Sequence, residues 1–167
     1  HGADPRQRRP VARDNQKENF CKEISFGMNI SAFLNPIKEE VIENSHLTHK
    51  KQIGNTITIF KNEEDFPDLE GCQVALLGVE EERNAVDNQG CKAAPDAIRH
   101  ALYPLFNHWP DLKIVDLGNV KSGLRVEDTY YALGEVFLTL LKYHIVRIII
   151  GGSQDLTYPI YKVYENT

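Results

Sequence analysis

"IIIGGSQDLTYP", residues 148–159, is the stretch whose reading decides the fold. An apolar run stops at Gly151 and Gly152, and Ser153, Gln154 and Asp155 follow where a helix should begin. Glycine lets a backbone turn sharply, so this is a buried strand passing through a tight corner into a helix. Asp155 and Thr157 are both candidate caps for that helix, and Pro159 is tolerated in its first turn.

The same reading repeats upstream. "CQVALLGV", residues 72–79, is continuously apolar from Val74 to Leu77 before it meets Gly78, the mark of a central strand buried on both faces of a parallel sheet. "APDAIRHALYPLF", residues 94–106, reads as a helix with Pro95 in its first turn. "KIVDLG" (113–118) reads as a strand, "VEDTYYALGEVFLTLLKYH" (126–144) as a long helix and "VRIIIGG" (146–152) as a third buried strand. Ahead of these, Ile30, Phe33, Leu34, Ile37, Val41 and Ile42 have helical spacing broken near Pro36, while "NTITIFKN" (55–62) alternates like an edge strand. Strand and helix alternate three times, which predicts an α/β domain of three α/β/α layers around a mainly parallel sheet. The chain stops at "KVYENT" without a further strand, so the expectation is the N-terminal part of such a domain, with an unpaired sheet edge.

Composition narrows the function classes. Of 167 residues, 41% are hydrophobic and 26% charged, which suits a single globular domain. No apolar run is long enough for a bilayer and no signal-peptide centre is present, so a cytoplasmic protein without a membrane partner is expected. Residues 1–27 carry six Lys/Arg against four Asp/Glu and few apolar residues, and read as a disordered leader or a non-native extension, because Met28 opens what looks like a natural start. The domain proper is then 28–167. With a net charge of −5 overall, that domain is acidic, which argues against a nucleic-acid partner. Cys21, Cys72 and Cys91 form no CxxC pair and read as reduced thiols.

Ligands of open parallel sheets gather outside the carboxyl ends of the strands. Here those ends are residues 78–99, 116–120 and 151–157. They contain no GxGxxG, no GxxxxGK[ST], no GxSxG and no HExxH, so the common phosphate cradles, the nucleophile elbow and the zinc helix are absent. His46 and His49 lie in a polar stretch and are expected to be exposed.

Taken in order, "VALLGVEEERNAVDNQGCKAAPDAIRHALYPLF", "KIVDLGNV" and "VRIIIGGSQDLTYPIYKVY" resemble the N-terminal half of the ureohydrolases, the family of arginase, agmatinase and formimidoylglutamase. "GGSQDLTY" is similar to an arginase-like and formimidoylglutamase-like bacterial branch. The resemblance implies the three-layer fold and a metal-dependent hydrolase cleaving C–N bonds of linear amidines or guanidines, such as formiminoglutamate or arginine. It also implies two Mn²⁺ ions at the strand ends, which suits carboxylate and imidazole donors. A small-molecule substrate is then the partner, with a homo-oligomer as a further possibility.

Departures from the family pattern bear on the site. Where the commoner motif reads GGDHS, Gln154 takes the place of the metal-binding histidine, Ser153 that of the Asp and Asp155 that of the Ser. Gln154 is thus either a weak metal ligand, a hydrogen-bonding residue or structural, and Asp155 either a ligand or the helix cap. The family's DxHxD and later DxD do not occur, so the chain by itself is expected to be inactive. A noncatalytic binding or assembly module is the alternative. In the loop after the first central strand, Arg83 and Asn88 are candidates for contacting a substrate carboxylate, against the plainer reading of a solvated loop. Arg99 and Asp116 read as a helix-surface charge and a strand-end hydrogen bonder.

Overall fold

A computed structural model describes residues 29–165. The basic leader expected to be disordered or non-native lies outside the described residues. The sheet is built on β3 (Val74–Val79), which runs parallel to β4 (Ile114–Val120) on one side and to β5 (Val146–Ile150) on the other. Two short strands share the far edge of β4: β1 (Leu34–Asn35) pairs antiparallel with its end, and β2 (Thr58–Ile59) parallel with its beginning. Five helices accompany them among the described residues: α1 (Glu39–Glu43), α2 (Ile53–Thr56), α3 (Ala94–Leu102), α4 (Val126–Lys142) and α5 (Thr157–Glu165).

Alternation along the strands assigns the layers. Ala75, Leu77 and Val79 of β3 and Val115, Leu117 and Val120 of β4 join Leu133, Val136 and Leu140 of α4 in one apolar core. Leu76, Asp116 and Asn119 belong to the other face, which α3 covers through Arg99 and Tyr103. The three-layer α/β arrangement around a mainly parallel sheet is therefore present.

Several elements differ from the sequence reading for local reasons. Pro36 disfavours helical geometry in the residue before it. Leu34 and Asn35 are accordingly extended, and where the spacing predicts one or two short helices the chain forms a 3-10 turn at Ile30–Phe33, strand β1 and helix α1. In the 55–62 stretch only Thr58 and Ile59 pair, because Ile53 and Gly54 donate to the carbonyls of Leu105 and Tyr103 and hold the preceding residues in a helical turn. Helix α3 ends at Leu102, ahead of Pro104, which lacks the N–H a longer helix would need. The strand expected to be buried on both faces, β5, is an edge strand among the described residues, with Val146 59% and Ile148 44% exposed.

An irregularity in β4 organises the α3 face. Leu76 lies opposite Asp116 but Gly78 lies opposite Asn119, so Leu117 and Gly118 together face Leu77. Such a bulge reverses side-chain alternation. Asp116 and Asn119, three apart and otherwise on opposite faces, both point at α3. There Arg99, fully buried rather than a surface charge, donates from Nε to Asp116 Oδ2 (2.9 Å) and from its NH2 nitrogen to Asp116 Oδ1 (2.8 Å). Its NH1 nitrogen donates to Asn119 Oδ1 (2.6 Å), and NH2 also to the Gly118 carbonyl (2.8 Å). The Tyr103 hydroxyl and the Gly118 N–H complete the shell of Asp116 at 2.9 and 3.0 Å. Burial, with the Asp116 carboxylate alongside, pushes the Tyr103 phenol far above its ordinary pKa, so it stays a donor. Gly78 leaves room for the network: a Cβ there would lie 1.9 Å from Asn119 Oδ1.

Removing one partner of a buried ion pair strands the other charge, at a cost of about 3–5 kcal/mol. Arg99→Met is therefore expected to lower stability by about that amount in urea unfolding. Arg99→Met combined with Asp116→Asn, which leaves no unpaired charge, is expected to recover part of the loss.

Candidate functional site

The carboxyl ends of β3, β4 and β5 bring three loops together, and residues 81–84 tie them to one another. Glu81 lies two residues beyond the end of β3 and is 1% exposed. Its Oε1 accepts the backbone N–H groups of Glu82 and Arg83 at 3.0 and 2.9 Å, and its carboxylate is paired with the Arg83 guanidinium. Hydrogen bonds from Arg83 hold the Glu81 carboxyl below the usual carboxylate range even though burial opposes this. The Glu81 carbonyl accepts the Ser153 N–H at 2.9 Å, which fastens the loop after β5.

Arg83 extends the ties to the loop after β4. Its NH1 nitrogen donates to the carbonyls of Gly123 (3.1 Å) and Leu124 (2.9 Å), and its NH2 nitrogen to Thr129 Oγ1 (2.9 Å) as well as to Glu81. Thr129 is fully buried and also accepts the Gly123 N–H at 3.0 Å. Asn88, the other candidate in this loop, is exposed.

The corner at residues 151–153 is shaped by close approach. Gly151 and Gly152 have φ of +84° and +80°, a region that L side chains enter only at a cost. A Cβ on Gly151 would lie 2.3 Å from Pro95 Cδ, and one on Gly152 3.0 Å from the Val79 carbonyl. The corner is thereby pressed between the end of β3 and the start of α3. Ser153 is buried, Gln154 exposed and Asp155 half-buried. Asp155 lies in a 3-10 turn (Gln154–Leu156), and its Oδ2 accepts the Tyr130 hydroxyl, which in turn accepts from Asn84 Nδ2 at 3.0 Å. Burial opposes ionisation of Asp155, but the neighbouring hydroxyls of Ser153 and Tyr130 keep its carboxyl below the ordinary range.

Apart from each other, the buried Asp155 Oδ1 and Ser153 Oγ meet no hydrogen-bond partner among the described residues. A carboxylate oxygen suits a hard cation, and the exposed Gln154 carboxamide is a second oxygen donor. No group of three or more His, Cys, Asp or Glu converges among the described residues. The described residues therefore do not fit a metal pair by themselves.

Sequence reasoning did not find Glu81, Asn84, Thr129 or Tyr130 as members of the corner. The run Glu80–Glu82 carries no signal to single out its middle residue, and Tyr130 and Thr129 lie in a helix whose apolar spacing explains them as packing. Only the pairing of strands shows that a tyrosine in the second turn of α4 reaches the loop after β5.

Two expectations follow. A carboxylate whose folded-state pKa is depressed contributes stability that is present above its unfolded value, about 4.3, and is lost as pH falls through the folded value. Urea midpoints measured from pH 7 to pH 3 should thus show Glu81→Gln markedly less stable than the parent at neutral pH, with the gap closing below about pH 4. Gly152→Ala places a side chain in the left-handed region and should cost about 1–3 kcal/mol in the same measurement.

A family model for arginases, described as "Arginase family", matches residues 72–167, which include all three strand ends. Among curated proteins, the mouse mitochondrial guanidino acid hydrolase is 29% identical over 100 residues, covering 54% of this chain and 28% of its own. Similar solved structures include a hypothetical agmatinase from Burkholderia thailandensis (TM-score 0.58, 20% identity, 74% of this chain and 39% of that one). A Trypanosoma cruzi formiminoglutamase with Mn²⁺ is similar at TM-score 0.56 and 20% identity, over 69% of this chain and 40% of that one. An arginase superfamily protein from Trypanosoma cruzi gives 0.54 and 22%, over 60% and 38%. The chain thus spans less than half the length of each of these relatives. With the family model matched over more than half of its length, the chain belongs to the arginase family.

Proposed function

We propose that this chain, residues 28–167 in particular, is the N-terminal portion of a hydrolase that cleaves a C–N bond in a linear amidine or guanidine of the formiminoglutamate or arginine type. The observation that carries the reading is the convergence of three strand-end loops on the Gly151–Asp155 corner, in a chain of the arginase family. The guanidino acid hydrolase and formiminoglutamase relatives support the substrate class. Family membership does not favour the noncatalytic module.

The reaction adds water to the amidine carbon and expels an amine, which leaves with a proton. A charge-delocalised amidine carbon is a poor electrophile, so the groups around it must be held in place before reaction. In this chain the Glu81 and Tyr130 contacts would provide that rigidity, and Asp155 Oδ1, Ser153 and Gln154 would face the reacting groups. Asn88 would contact a substrate carboxylate from the exposed loop. The two Mn²⁺ ions implied by the family would take most of their ligands from outside residues 29–165. No helix among the described residues is long and apolar enough to cross a membrane. A cytoplasmic location and a homo-oligomeric state remain part of the proposal.

The test is an assay of the longest natural product containing this chain, purified with Mn²⁺ and offered a guanidino acid, a guanidino amine and a formimino acid. Release of urea, ammonia or formamide that chelation abolishes and Mn²⁺ restores is the expected result; no release from any of them overturns the proposal. Residues 1–167 alone are expected to show no turnover in the same assay.

A further inference from the structure

We infer that Arg83 is a positioning residue, which sets the shape of the site's mouth by clamping the loop after β4, and does not itself bind the substrate. The inference rests on the hydrolase reading above for its kinetic consequence, though not for its geometry. A guanidinium has five N–H donors in a fixed fork. In Arg83 all five have protein partners: Nε on Glu81, the two NH1 hydrogens on the carbonyls of Gly123 and Leu124, and the two NH2 hydrogens on Glu81 and Thr129 Oγ1. A substrate carboxylate would have to displace a partner, and the strongest of them, Glu81, is a buried carboxylate 1% exposed that would then lose its countercharge.

What the clamp holds is the middle of a loop whose ends are tied elsewhere, at Lys121 by its N–H on the Phe33 carbonyl (2.8 Å) and at Arg125 by its N–H on Asp128 Oδ2 (2.9 Å). Leu124 is 99% exposed and packs against nothing, so its backbone is kept in place through its carbonyl and that of Gly123 rather than through its side chain. Thr129 acts as the second jaw, accepting from Arg83 and from the Gly123 N–H while fully buried in the first turn of α4. The other end of the clamp, Glu81, gives its carbonyl to Ser153. Movement of Arg83 would therefore reach both the loop after β4 and the Gly151–Asp155 corner. Lysine cannot replace it, because one ammonium cannot span a carboxylate, two carbonyls and a hydroxyl.

Arg83→Ala, Arg83→Lys and Thr129→Val in the intact protein separate this from substrate binding. Thr129 is buried and cannot touch a substrate, so Thr129→Val keeps the question answerable if Arg83→Ala does not fold. Amide hydrogen exchange at residues 123–125 is expected to rise by about tenfold in Arg83→Ala; Thr129→Val, which removes the acceptor of the Gly123 N–H, is expected to raise exchange at Gly123 by as much and at Leu124 by less. The values of kcat/KM for a linear guanidino acid and for the matching guanidino amine without a carboxylate should fall by a common factor, mainly in kcat. Their ratio should stay within about twofold of the parent value, well short of the tenfold that corresponds to a lost charge-assisted contact. Arg83→Lys should resemble Arg83→Ala. A KM increase confined to the guanidino acid, or restoration of its KM by Arg83→Lys, overturns the inference, as does unchanged exchange at residues 123–125. If the parent hydrolyses neither compound, the function proposed above fails, and the exchange measurement alone decides whether the clamp exists.

Discussion

The bidentate pair between Arg99 and Asp116 is the interaction on which the rest of the structure rests. It joins α3 to β4 across one face of the sheet, with every hydrogen-bonding position of the Asp116 carboxylate taken. Burying two charges is costly, and only close geometry with satisfied hydrogen bonds compensates for it. The geometry is supplied by the bulge at Leu117–Gly118, which turns Asp116 and Asn119 to the same face, and by the missing side chain of Gly78. Because α3 also carries Pro95, against which Gly151 packs, fixing α3 fixes the corner after β5 as well.

A second tie, Glu81 with Arg83, works at the strand ends and differs in kind. Glu81 is buried, but Arg83 is partly open to solvent and spreads its contacts over two loops. The first pair builds the scaffold and the second arranges what the scaffold presents. This division places rigid elements beneath the strand-end loops, at whose surface Asn88, Gln154 and Leu124 are exposed.

Much of the fold was legible in the sequence because its signals are local. Continuous apolar runs in β3 and β5, Pro95 in the first turn of α3 and the long periodic α4 each announce their element. The errors arose where tertiary contacts decide. Residues 53–56 form a helical turn because they bond to Tyr103 and Leu105, and β5 is half exposed because it pairs only with β3 among the described residues. At the site, the glycine corner could be read from the letters alone. Arg99, by contrast, looks like any arginine on an amphipathic helix until the bulge in β4 supplies its partners.

The sequence by itself determined the alternation of strands and helices, the family resemblance and the change of GGDHS to GGSQD, since all three depend on residue identity and order. Only the tertiary structure decided what the charged residues do. A charge is placed by its partners: Arg99 and Asp155 find theirs 17 and 25 residues away along the chain, at Asp116 and Tyr130, and Arg83, besides Glu81 two residues before it, finds Thr129 46 residues away. Separations of that size have no local signature, because it is the pairing of the strands that sets which strand ends are neighbours.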